Sequence, residues 1–63
     1  MHAIMKFFEY KHLPPHLQVI SKHVADLAFY MDASLEPSAE LSAGLRKLLE
    51  AKDCFVRASV ETI

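Results

Sequence analysis

One cysteine, Cys54, and one glycine, Gly44, stand among the 63 residues. A lone thiol excludes a disulfide within the chain and fits a reducing compartment. Charge of neither sign is in excess. The net charge is −1, so bulk electrostatics give no pull toward nucleic acid, DNA is not an expected partner, and any anion site must be local. No run of about 18 apolar residues exists, which excludes a helical membrane span. The first stretch, MHAIMKFFEYKH, lacks the basic lead and long apolar centre of a signal peptide. A cytosolic protein is expected. No internal repeat or low-complexity segment occurs.

Apolar residues are abundant instead, at 52 % of the chain. A chain this short is one domain, spanning residues 1–63, and is marginal on its own. Small scaffolds gain stability from disulfides, metals or oligomerisation. The apolar content exceeds what two helices can hide from water, so a homo-oligomer is expected.

Residues 1–14 alternate weakly and carry β-prone aromatics, which reads as an ordered, extended arm. Leu13-Pro14-Pro15 then punctuates, because the residue before a proline is pushed out of helical space. Pro15 suits a first helical position, where its missing N–H costs nothing. Leu17, Ile20, Val24, Leu27 and Met31 follow at spacings of 3, 4, 3 and 4. They form one apolar stripe of a helix from about residue 15 to about residue 32, widened by Ala25, Ala28 and Phe29. Asp32, Ser34, Pro37 and Ser38 are turn and cap residues that break it. A second helix runs from about residue 38 to about residue 60. Leu41, Leu45, Leu48, Phe55 and Ser59 share one line of it; Gly44, Leu48, Ala51, Phe55 and Ala58 share another. The small residues of the second line would let a further helix approach closely, which would explain why Gly44 is tolerated. The fold class is all-α: an antiparallel two-helix hairpin with an extended N-terminal arm, assembled into a homo-oligomer.

Few residues suggest chemistry. His12, His16 and His23 match no zinc spacing, and His16 and His23 lie two turns apart on one helix; no metal site is assigned. Cys54, beside Phe55, reads as a small buried hydrophobe. Nothing resembles an acid and base paired in a cleft, so no catalytic residue and no cofactor are assigned. The arm is richer. Tyr10 and Lys11 adjoin a helix start, and Lys22, Lys47 and Arg57 are available on the helices. A ring for stacking, cations for phosphate and free helical N–H groups suit a nucleotide. Equally, Phe7, Phe8 and Tyr10 can cover the open end of the helix pair or pack on a neighbour.

The order of these features resembles a known family. Phe8-Glu9-Tyr10, then DLAFYM, a proline-centred turn and ELSAGLRKLLEAKDCFVRA are similar to the phage helical-hairpin sponge proteins that block CBASS and Thoeris signalling. The match runs from about Phe8 to Ala58 and includes Glu40, Leu45, Lys47, Leu48, Glu50 and Ala51; Lys11 separates Tyr10 from His12, where members often place the histidine directly after the tyrosine. The resemblance implies small helical hairpins assembled into hexamers in the bacterial cytosol. They hold cyclic di- or trinucleotides, or in some members cyclic ADP-ribose isomers, without cleaving them. Bases stack on the arm tyrosine, and basic side chains hold phosphates. Carried onto this chain, Tyr10, Lys11, Lys22 and Arg57 are the expected ligand contacts. Phe7, Phe8, Leu17, Val24, Gly44, Leu48 and Phe55 are expected between subunits. The alternative is a small helical module that binds a host or phage protein through its apolar helix face.

Overall fold

The computed structural model describes residues 3–61; residues 1–2 of the expected arm and residues 62–63 lie outside the described residues. The chain is helical, with no strand among the described residues. A 3-10 helix, Ala3–Phe8, precedes two long α-helices that pack against each other, α1 over Pro15–Ser34 and α2 over Ala39–Glu61.

The N-terminal segment corrects the expectation of an extended arm. Met5 and Phe8 are both 1 % exposed and lie three residues apart. Three residues make one turn of a 3-10 helix, so both side chains project from the same side. An extended chain would send them to opposite faces. It would also leave backbone groups without a strand to pair with. Burying both side chains therefore favours the helical turn, despite the aromatic composition.

Hydrogen bonds between residues three apart then turn the chain into α1. The Glu9 N–H donates to the Lys6 carbonyl at 3.4 Å and the Leu13 N–H to the Tyr10 carbonyl at 3.0 Å. Pro14, at φ −56° and ψ 149°, is extended, and Pro15 follows at the first helical position, where no N–H is required. The Pro14 carbonyl accepts from Leu17 and Gln18 at 2.9 and 3.0 Å. At the far end, Leu35 returns to extended geometry at φ −112° and ψ 147°. Ser38 caps α2, its Oγ accepting the Leu41 N–H at 3.0 Å, and Glu40 sits in the first turn, where the helix dipole favours negative charge.

The core consists of Met5, Phe8, Ala25, Ala28, Leu41 and Leu45. Ile4, Tyr10, Val24, Leu48 and Leu49 pack against it half-buried. On α1 the buried line is Ser21, Ala25 and Ala28, all small. They let the 3-10 helix and α2 come close to the α1 backbone. The bulkier stripe of Leu17, Ile20, Val24, Leu27 and Met31 lies about a quarter-turn around the same helix. Its far end is open to solvent, with Leu27 44 % and Met31 36 % exposed.

Candidate ligand site

The turn after the 3-10 helix and the outer face of α1 enclose a cavity of about 390 Å³, lined by Glu9, Tyr10, Lys11, Asp26 and Phe29. Residues 22, 26 and 29 are spaced 4 and 3 apart, which places Lys22, Asp26 and Phe29 on one face of α1. That face presents an ammonium, a carboxylate and a ring beside Tyr10. Lys22 Nζ donates to Asp26 Oδ2 at 2.8 Å across a solvent-exposed pair. The hydrogen bond to Asp26, and then its negative charge, hold the Lys22 ammonium above the usual lysine range; Tyr10 acts in the same direction. Lys22 is therefore charged throughout the neutral range, with its charge already partly satisfied.

Tyr10 has two roles. Part of its ring packs on the core, while the side chain also borders the cavity. Gln18, in the first turn of α1, steadies this segment. Its Nε2 donates to the Leu13 carbonyl at 2.7 Å and to the Lys11 carbonyl at 3.3 Å. The backbone that carries Lys11 is thus tied to the helix.

Two of the four ligand contacts assigned from sequence, Tyr10 and Lys11, line the cavity. Lys22 is not among the lining residues but is paired with Asp26, which is. Arg57 is not among the lining residues either; its Nη2 donates to Cys54 Sγ at 3.4 Å on the surface of α2. The exposed position of that thiol corrects the expectation of a buried Cys54. Sequence reasoning missed Glu9, Asp26, Phe29 and Gln18. Asp26 and Phe29 were legible as the continuation of the Lys22 face, and Glu9 as the neighbour of Tyr10. Gln18 carried no sequence signal, because its carbonyl partners are set by the proline turn.

The residues assigned to a subunit interface fall into three environments. Phe8 is in the core at 1 % exposure, so it is not available to a partner; its i, i+3 relation to Met5 draws it inward. Leu17, Val24 and Leu48 are half-buried, Val24 and Leu48 against this chain's own core. Phe7 and Phe55 are each 54 % exposed, and Gly44 is exposed, with no described atom outside its own helical turn within 4 Å of where a Cβ would stand. Lys6 Nζ lies 5.2 Å from the Phe7 ring centre.

Two further recesses are apolar. Leu27, Met31 and Leu35 face Leu41, Gly44 and Leu48 across an open groove of about 500 Å³. Ile20 shares a shallower one with Phe55, Ala58 and Ser59. His12, His16 and His23 are exposed, and among the described residues no three His, Cys, Asp or Glu side chains converge to hold a metal ion. No helix among the described residues is long and apolar enough to cross a membrane. Comparison with protein-family models, curated proteins and solved structures returns no match.

Proposed function

We propose that this chain is a homo-oligomeric sponge of the bacterial cytosol, holding cyclic di- or trinucleotides, or cyclic ADP-ribose isomers, of anti-phage signalling without cleaving them. The observation that carries the reading is the convergence of Tyr10, Lys11 and Phe29 on one cavity, with Lys22 beside it. Aromatic rings stack on bases irrespective of their edge chemistry, and ammonium groups meet phosphates. A cavity of about 390 Å³ is at the small end of ligand pockets. It suits one base with its sugar and phosphate, and the rest of a cyclic dinucleotide would lie against a second copy of the chain.

The finer architecture belongs to the same proposal. An antiparallel hairpin is supported by which residues meet: Ile20, early in α1, with Phe55 to Ser59, late in α2; and Leu27 to Leu35, late in α1, with Leu41 to Leu48, early in α2. Assembly, as a hexamer in the sponge reading, is supported by the apolar groove and by the exposure of Phe7, Leu27, Leu35 and Phe55.

A thermal-shift screen of the full chain against cyclic dinucleotides, cyclic trinucleotides and cyclic ADP-ribose isomers tests the reading. A ligand at a hundredfold excess over its Kd adds about 2.7 kcal/mol, which on a domain this small raises Tm by roughly 10 °C or more. Tyr10→Leu is the informative variant, because leucine keeps apolar packing on the core and removes the stacking ring. It should retain the fold and lower affinity about tenfold. Absence of any shift in folded, assembled protein sinks the sponge reading.

The groove flanked by Leu27, Met31 and Leu35 also favours a second reading, a helical module that binds a host or phage protein. In that case a single partner co-purifies at fixed stoichiometry, Leu27→Glu abolishes its capture, and no nucleotide moves Tm.

A further inference from the structure

The cavity beside Tyr10 carries carboxylates as well as rings and cations, and this bears on which base it takes. Asp26 is engaged, its Oδ2 holding Lys22 at 2.8 Å. Glu9 directly precedes Tyr10 and lines the same cavity. Its backbone N–H is bonded to Lys6, and the segment it belongs to is tied down through Leu13 and Gln18. Resting on the sponge reading, we infer that Glu9 makes this a guanine-selective site, with Asp26 a positioning residue for the phosphate-binding Lys22.

The reason is edge chemistry. A carboxylate has two acceptor oxygens and no donor. Guanine presents two parallel donors, its ring N1–H and its 2-amino N–H, which meet such a pair of oxygens bidentately, as a guanidinium does. Adenine places an acceptor nitrogen next to its amino group, so one carboxylate oxygen would face a lone pair. Uracil offers one N–H between two carbonyls, with the same conflict on both sides. Stacking on Tyr10 or Phe29, which both line the cavity, would be indifferent to the base, so the Glu9 carboxylate is the group assigned to discriminate. A bidentate pair distinguishes bases by about tenfold or more.

Isothermal titration of the full chain with cyclic di-GMP and cyclic di-AMP reads this directly. Cyclic di-GMP is expected to bind at least about tenfold more tightly. Glu9→Gln, an isosteric change at an exposed position, should bring the two affinities to within about threefold of each other, since an amide offers one donor and one acceptor. Asp26→Asn should alter both affinities in parallel and leave their ratio unchanged. Equal or reversed preference in the wild-type protein overturns the inference, as does a guanine preference that survives Glu9→Gln. Binding only of cyclic trinucleotides without guanine, or of cyclic ADP-ribose isomers, overturns the guanine assignment and leaves the sponge reading standing. Binding of none of these by folded protein overturns both.

Discussion

Ser21 is the one buried polar side chain of the described residues, 1 % exposed, and its Oγ has no hydrogen-bond partner. A buried hydroxyl left unpaired costs about 1–3 kcal/mol relative to a paired one. The site also disfavours bulk, because Ala25 and Ala28 beside it are fully buried where the 3-10 helix and α2 meet α1. Alanine fits that space, removes the unpaired oxygen and is the better helix former. Ser21→Ala should therefore stabilise the chain by about 1 kcal/mol, raising Tm by roughly 4–8 °C in a domain of this size. A thermal melt followed by circular dichroism checks it. A drop in Tm would show that the hydroxyl is engaged, for instance by a buried water. Residue-level legibility was uneven in the same way. Tyr10, Lys11 and Lys22 stood out by residue type; Tyr10 and Lys11 line one cavity, and Lys22 pairs with Asp26 at its edge. Glu9 and Asp26 were legible only as neighbours of Tyr10 and Lys22, because exposed acids are ordinary until a cavity forms beside them.

At the scale of elements, apolar periodicity gave both long helices, and the proline pair and the Pro37-Ser38 turn gave the breaks between them. It did not single out the inward face of α1. The stripe from Leu17 to Met31, widened by Ala25, Ala28 and Phe29, covers much of the helix, and the buried line within it and beside it is Ser21, Ala25 and Ala28. Size alone does not reveal this. A helix flanked by both α2 and a 3-10 turn packs best through small residues, and only the tertiary arrangement shows that two neighbours meet there. The N-terminal segment was misread for a related reason, since aromatic content favours strands but the pair Met5 and Phe8 needs a turn of three. Gly44 extends the point to α2. Among the described residues nothing outside its own helical turn comes within 4 Å of a Cβ placed there, so the expected close contact is not found within them, and the glycine costs about 1 kcal/mol of helix propensity. In the proposed assembly a neighbouring helix fills that space. Gly44→Ala should then weaken self-association about tenfold, by overpacking the contact, without lowering Tm in dilute solution. Sedimentation equilibrium beside dilute thermal melts separates the two effects. Unchanged association with a higher Tm would remove Gly44 from the interface.

The whole molecule is a short rod, 39 × 18 × 16 Å with a radius of gyration of 12.0 Å, against about 11 Å for a compact chain of this length. Its buried apolar residues sit in one cluster. Beyond Leu49, α2 has no fully buried residue among those described, and Phe55 and Val60 are each more than half exposed. Among the described residues the core holds six apolar side chains, which is small for a domain that must offset the entropy of ordering some sixty residues. In the proposed assembly, the apolar surface left open at Leu27, Leu35 and Phe55 would add stability through contact with other copies. Leu27 is the position to alter. It is 44 % exposed in the single chain, so a charge there does little harm to internal packing. It also borders the apolar groove together with Glu36 and Glu40, which would repel a further acid once a partner excludes water. Leu27→Glu should reduce the mass seen by light scattering to that of one chain, 7.1 kDa. It should also lower Tm and abolish the rise of Tm with concentration that an assembling wild-type protein shows. If a second copy completes the cavity beside Tyr10, nucleotide binding weakens with it, although Leu27 does not line that cavity. A variant that keeps its assembly and its Tm would place the subunit contact elsewhere, with the exposed Phe7 and Phe55 next in line. A variant that dissociates yet binds nucleotide as tightly as before would show that each chain carries a complete pocket.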